Sequence, residues 1–135
     1  GDMKRIIIVA LLSFIGIASF GQDKKVDGVL NKWKDCCNKQ DYQSAYNLYA
    51  LVYKNKVSLE TVTSQMKQVY GMMRKLKSIK FISYKDYVYK YIFYSKANQI
   101  EGDVTIVVNK DYEIGYLVFE SIGGKGDPPP MGNKF

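Results

Sequence analysis

Histidine is absent from all 135 residues. That excludes a histidine general base, a Ser-His-Asp triad and any zinc site with imidazole ligands. There is also no phosphate-binding loop, dinucleotide fingerprint, Cys-x-x-Cys pair or calcium loop, so no cofactor and no metal is expected. Proline occurs only as Pro128-Pro129-Pro130, and tryptophan only once, as Trp33. Arginine is nearly missing: after residue 21, Arg74 stands alone among lysines. Bidentate recognition of phosphate and guanine favours arginine, so the net charge of +7 does not point to nucleic acid. Anionic polymers, membrane surfaces or a merely solvated lysine surface fit it better. Cysteine is scarce, and the two present, Cys36 and Cys37, are adjacent. Pairing neighbours would close a very small strained ring, and on a helix their side chains point about 100° apart. Free thiols are expected, at least one in the core, with an intermolecular disulfide as the alternative.

What the sequence has in abundance begins at its start. Met3-Lys4-Arg5 precede an apolar run over residues 6–20, and Ser19 and Gly21 supply small side chains before Gln22. This is the layout of a secretory signal peptide. A membrane-spanning helix needs about 20 apolar residues, more than this run contains, so no stable span is expected after cleavage near Gly21/Gln22. Gly1-Asp2 read as an expression scar. Removing Asp2, Lys4 and Arg5 lowers the net charge from +7 to +6. The exported remainder reads as one domain over 22–122, followed by a Gly/Pro-rich flexible tail over 123–135.

Within that domain the periodicity changes once. Val26, Val29, Leu30, Trp33, Cys36 and Cys37 recur at spacings of three and four, one helical face. Asp41 reads as an N-cap for a second helix whose apolar face is Tyr42, Ala45, Tyr46, Leu48, Tyr49 and Val52. Ser58 reads as the N-cap of a third, with Val62, Met66, Val69, Tyr70 and Met73 buried. After Arg74 the pattern alternates. Tyr87, Tyr89, Tyr91 and Phe93 share one parity and Val88, Ile92 and Tyr94 the other, as on the two faces of a strand. A break near 84–86, a turn at 98–102 and a hairpin turn at Asn109-Lys110-Asp111 divide this half into about four strands, the last expected over 112–122. The fold class is therefore α+β: three helices packed on a curved antiparallel sheet of about four strands.

The order of Trp33, the segment from Lys39-Gln40-Asp41-Tyr42 to Tyr46, Val57-Ser58-Leu59-Glu60, and the stretch from Gly71 to Ser78 resembles small exported bacterial members of the nuclear transport factor 2-like superfamily, the cystatin-like α+β roll. The resemblance covers roughly residues 26–122. It implies a cone-shaped pocket between sheet and helices, and dimerisation through the sheet face. It also implies, for enzymatic relatives resembling ketosteroid isomerases or dehydratases, an Asp base with a Tyr donor or a His in that pocket.

Asp41 with Tyr42 and Tyr46 could form such an acid-tyrosine group, though an N-cap beside core aromatics accounts for the same residues. Asp86, among strand residues, is the second carboxylate; a turn or bulge accounts for it. Trp33, Tyr46, Tyr49, Tyr91 and Tyr116 are the residues expected to line a pocket for a flat or sugar-like ligand. The expected function is a non-enzymatic exported domain that binds a small ligand or protein partner at the cell envelope. The alternatives are a minimal carboxylate/tyrosine enzyme of isomerase or hydrolase type, and a dimeric scaffold whose pocket is filled.

Overall fold

The structure, a computed structural model, describes residues 21–97 and 99–124. The leader over 3–20 and the tail from 125 onward lie outside the described residues. Among the described residues, four helices precede four strands.

Helix α1 (Lys24–Lys39) starts at Asp23, whose carboxylate accepts from the Lys25 amide at 2.9 Å. It ends at Gln40, in the left-handed region at φ 56°. The N-cap satisfies a free amide of the first turn, and Lys39 in the last turn complements the helix dipole. Its buried stripe is Val26, Leu30, Trp33 and Cys37. Helix α2 (Tyr42–Tyr46) starts at the Asp41 cap, α3 (Leu51–Lys54) follows, and α4 (Leu59–Met73) starts at the Ser58 cap. The inner stripe of α4 is Val62, Met66, Val69 and Met73.

The single second helix expected across 42–52 is thus two short ones, and the cause is tertiary. Tyr49 bridges Ile114 in parallel: the Ile114 amide donates to the Leu48 carbonyl at 2.9 Å and the Ala50 amide donates to the Ile114 carbonyl at 2.8 Å. Main-chain groups spent on the sheet cannot continue the helical ladder. The break also rotates Val52 out of the apolar face expected for it: Leu51 and Val52 are 68% and 69% exposed.

Strands β1 (Leu76–Lys85), β2 (Val88–Ser95), β3 (Ile100–Val108) and β4 (Ile114–Gly124) form one antiparallel sheet in that order. Asp86 and Tyr87, both at positive φ (51° and 70°), make the two-residue turn between β1 and β2. Turns of this hand match the natural strand twist. Tyr87 is consequently a turn residue and not a member of the strand parity expected for it. Tyr112, expected to begin the last strand, precedes β4 at φ 59°. At its other end β4 continues through Gly123 and Gly124, which pair with Glu101 and Ile100, so the sheet extends two residues into the expected tail.

The register sorts the faces. Tyr91 lies opposite Phe81 and Val104, Phe93 opposite Ile79 and Gly102, and Ile106 opposite Leu117. These face the helices and form one core with Val26, Leu30, Trp33, Met66 and Met73. Lys90, Ile92 and Tyr94, with their partners Thr105, Asp103 and Glu101, take the other face. Gly102 is required by a close approach. A Cβ there would sit 2.9 Å from the Phe119 ring and 3.1 Å from Met73 Sδ. Its absence lets Phe119 lie against Trp33, with ring centroids 5.7 Å apart.

Candidate functional site

A concavity of about 470 Å³ opens between α4 and the second half of β4. Its size is that of a small-molecule or peptide side-chain site. One wall is Gln65, Gln68, Val69 and Met72, a single face of α4 by their spacing. The other wall is β4 from Leu117 to Ile122, and beneath lie Trp33, Tyr49 and Met66.

The aromatic floor is held rigidly. The Trp33 indole Nε1 donates to the Tyr49 hydroxyl at 3.3 Å. Phe93 meets Trp33 edge-on at 5.9 Å and Phe119 at 5.4 Å. Such contacts orient rings beyond what area burial alone would do. Burial pushes the Tyr49 phenol well above its ordinary range, so it stays neutral. Tyr53 stacks on the far side of Tyr49 at 4.7 Å. Among the described residues the only carboxylate in the lining is the exposed Glu120. The groove offers apolar and aromatic surface with the Gln65 and Gln68 amides, Ser121 and Glu120 along its walls.

Of the five expected pocket residues, Trp33 and Tyr49 line this groove. Tyr46 is spent on its own loop, donating its hydroxyl to the carbonyls of Val57 at 2.6 Å and Lys54 at 3.1 Å. Tyr91 is buried on the sheet's inner face and its hydroxyl donates to the Asp27 carboxylate. Tyr116, in β4, is 45% exposed. Gln65, Gln68, Met72 and Phe119 were not singled out by sequence reasoning. The helical spacing of the first three was the available signal, but two of them are polar and read as solvent-facing.

Asp41 is an exposed cap. It accepts from the Ser44 hydroxyl at 2.7 Å and the Ser44 amide at 3.2 Å, and those bonds hold its carboxyl below the ordinary range. A carboxylate favoured in its charged form is poorly suited to act as a base. Asp86 is exposed in the hairpin turn. Asp41, Tyr42 and Tyr46 therefore do not converge on the groove.

The structure assembles a different acid-tyrosine group at the start of α1. Asp27 accepts from Tyr91 and, at 2.9 Å, from the Gln22 side chain. Asp23, already the helix cap, accepts from the Tyr112 hydroxyl at 2.9 Å. Burial first, then the Asp27 hydrogen bond, raises Tyr91; the Asp23 hydrogen bond raises Tyr112. Each carboxylate already holds its tyrosine proton in place, which fastens α1 to the sheet.

The chain matches no known protein family, no curated protein and no solved structure.

Two further features bear on chemistry. Cys37 is buried and its thiol is pushed up to about 12 by burial; Cys36 is half-buried and also raised, and both are free. Lys39, Lys75, Lys77 and Lys96 line a shallower concavity of about 400 Å³ with Asp35. There, Asn38 ties the end of α1 to β1 through bonds to the Leu76 amide at 2.7 Å and carbonyl at 2.9 Å. Among the described residues no helix is long and apolar enough to cross a membrane, and no group of three Cys, Asp or Glu could hold a metal.

Proposed function

We propose that this chain is a non-enzymatic binding domain, exported to the cell envelope, that takes a small apolar or aromatic ligand or a protein partner in the α4–β4 groove. One observation carries the reading: an open concavity of about 470 Å³ has Trp33 and Tyr49 beneath it and no buried carboxylate in its lining. Exposed apolar concavities of this kind mark binding sites. The helices-then-sheet order supports the resemblance to the nuclear transport factor 2-like roll, in which a pocket lies between the two layers. A carboxylate-tyrosine enzyme is the weaker reading, because Asp41 and Asp86 are an exposed cap and an exposed turn residue.

Trp33 is the chain's one tryptophan, so its fluorescence reports on the groove floor. Titration with anilinonaphthalene sulfonate is expected to change Trp33 emission saturably. Met72→Glu should weaken that binding at least tenfold, while Asp41→Asn and Asp86→Asn leave it unchanged. Equal binding by Met72→Glu would move the site elsewhere.

A second reading, a homodimer through the outer sheet face, is favoured by Ile92, Tyr94 and Val118, which belong to the face away from the helices. Sedimentation of the wild type and of Ile92→Lys separates it from a monomer: a dimer lost on substitution supports it, and a wild-type monomer rules it out.

A further inference from the structure

All six residues 117–122 of β4 line the groove. Neighbouring side chains of a strand point to opposite faces, and the register divides these six accordingly. Leu117, Phe119 and Ile122 pair with Ile106, Val104 and Gly102, whose side is the core. Val118 and Ser121 pair with Thr105 and Asp103 on the outer face, and Glu120 is the extra residue of a bulge between Ser121 and Phe119. A concavity that touches both sets meets the strand along its edge, where main-chain groups are presented. In the order β1-β2-β3-β4 the outer edge of β4 has no neighbouring strand among the described residues.

That edge already accepts main-chain pairing at its start. Residues 48–50 bond to Ile114 in parallel, and the chain then turns into α3 and leaves the edge beyond it open. Among the described residues, four of the six large exposed hydrophobics belong to α3, α4 and β4, the elements beside this edge. Leu51 and Val52 directly follow the bridge, Tyr116 precedes Leu117, and Met72 stands on the α4 wall. Unpaired edges flanked by apolar surface are templates for pairing with another chain.

We propose that the groove takes an extended peptide segment, added to β4 as a fifth strand between the sheet edge and α4. This rests on the groove being the binding site and names the class of partner. Main-chain bonds to β4 supply register, and alternate apolar side chains enter toward Trp33, Tyr49 and Met66, the division of labour in strand addition. The open edge spans about 20 Å, room for about six residues. Charge decides between partners. Two copies of the exported form, at +6 each by the count above, repel, whereas a neutral or acidic segment of another protein does not.

The test uses the full chain and capped heptapeptides in which valine or leucine alternates with threonine or glutamate, followed by Trp33 fluorescence. Saturable binding is expected. N-methylation of alternate peptide amides, which removes donors but keeps side chains, should weaken it at least tenfold, and Met72→Glu should do the same with an unchanged circular dichroism spectrum. Equal binding of the methylated peptide overturns strand addition but leaves the groove reading standing. So does binding of anilinonaphthalene sulfonate without any of the peptides. If neither probe changes Trp33, both readings fall. Concentration-dependent dimers that Met72→Glu abolishes, with no peptide binding, replace the peptide by a second copy.

Discussion

At the first turn of α1 a carboxylate of the helix is tied to a tyrosine of the sheet; between α4 and β4 a groove with an aromatic floor stays open. Asp27 in the first turn of α1 accepts a proton from Tyr91 of β2, and Asp23, the cap of that helix, accepts one from Tyr112 in the turn before β4. Both carboxylates there have partners within the chain. The α4–β4 groove is the reverse: mixed apolar and polar walls, an aromatic floor, and a strand edge with no neighbour among the described residues. One region spends its hydrogen-bonding and apolar capacity on holding the fold, and the other leaves both available. The contrast separates acid-tyrosine contacts that are structural from aromatic surface that can bind.

The comparison breaks most severely at the residue both regions depend on. Trp33 belongs to the α1 stripe and lies beneath the groove. Trp33→Ala should cost about 3–5 kcal/mol in urea unfolding, the usual range for deleting a buried aromatic. Next is the room that Phe119 needs. Gly102→Ala should cost about 1–3 kcal/mol by overpacking against Phe119 and Met73, and should weaken ligand binding as Phe119 shifts. A smaller cost at Gly102 would show that Phe119 yields freely and that the floor is not rigid.

Tyr91→Phe tests the fastened region at about 1–2 kcal/mol, one hydrogen bond to a half-buried carboxylate. It has a pH signature. The folded chain holds the Tyr91 proton above the ordinary phenol range, so the folded state binds it more tightly than the unfolded state does. The share of stability that Tyr91 contributes is therefore fully present below about pH 10 and declines as pH rises above it. Tyr91→Phe should flatten that decline, leaving the shares due to Tyr49, Cys37 and the other raised tyrosines. Groove binding should not change. The smallest effect is expected at the thiols: in the native protein at pH 8, Cys37 should resist a thiol reagent until the chain unfolds, because burial holds it protonated.

Local signals were readable from the sequence. The Asp41 and Ser58 caps, the Asp86 turn, the helical stripes and the strand parity of Tyr89, Tyr91 and Phe93 each depend on a few adjacent residues. The split of the second helix was not readable, because its cause is Ile114, far along the chain. The groove was half readable. Trp33 and Tyr49 stood out as aromatics on helical faces, but an open strand edge belongs to the strand order, which no segment carries alone. Tyr46 and Tyr91 lie outside the groove lining, and their hydroxyls bond to groups that no local pattern reveals: carbonyls and a carboxylate brought from elsewhere.

The most direct test of the groove as the binding site is an amide chemical-shift map of the full chain during titration with the alternating heptapeptide. Shifts confined to residues 65–72 and 117–122 and to the Trp33 indole are expected. Shifts centred on Lys90, Ile92 and Tyr94, or around Lys39, Lys75, Lys77 and Lys96, with the groove silent, would contradict it.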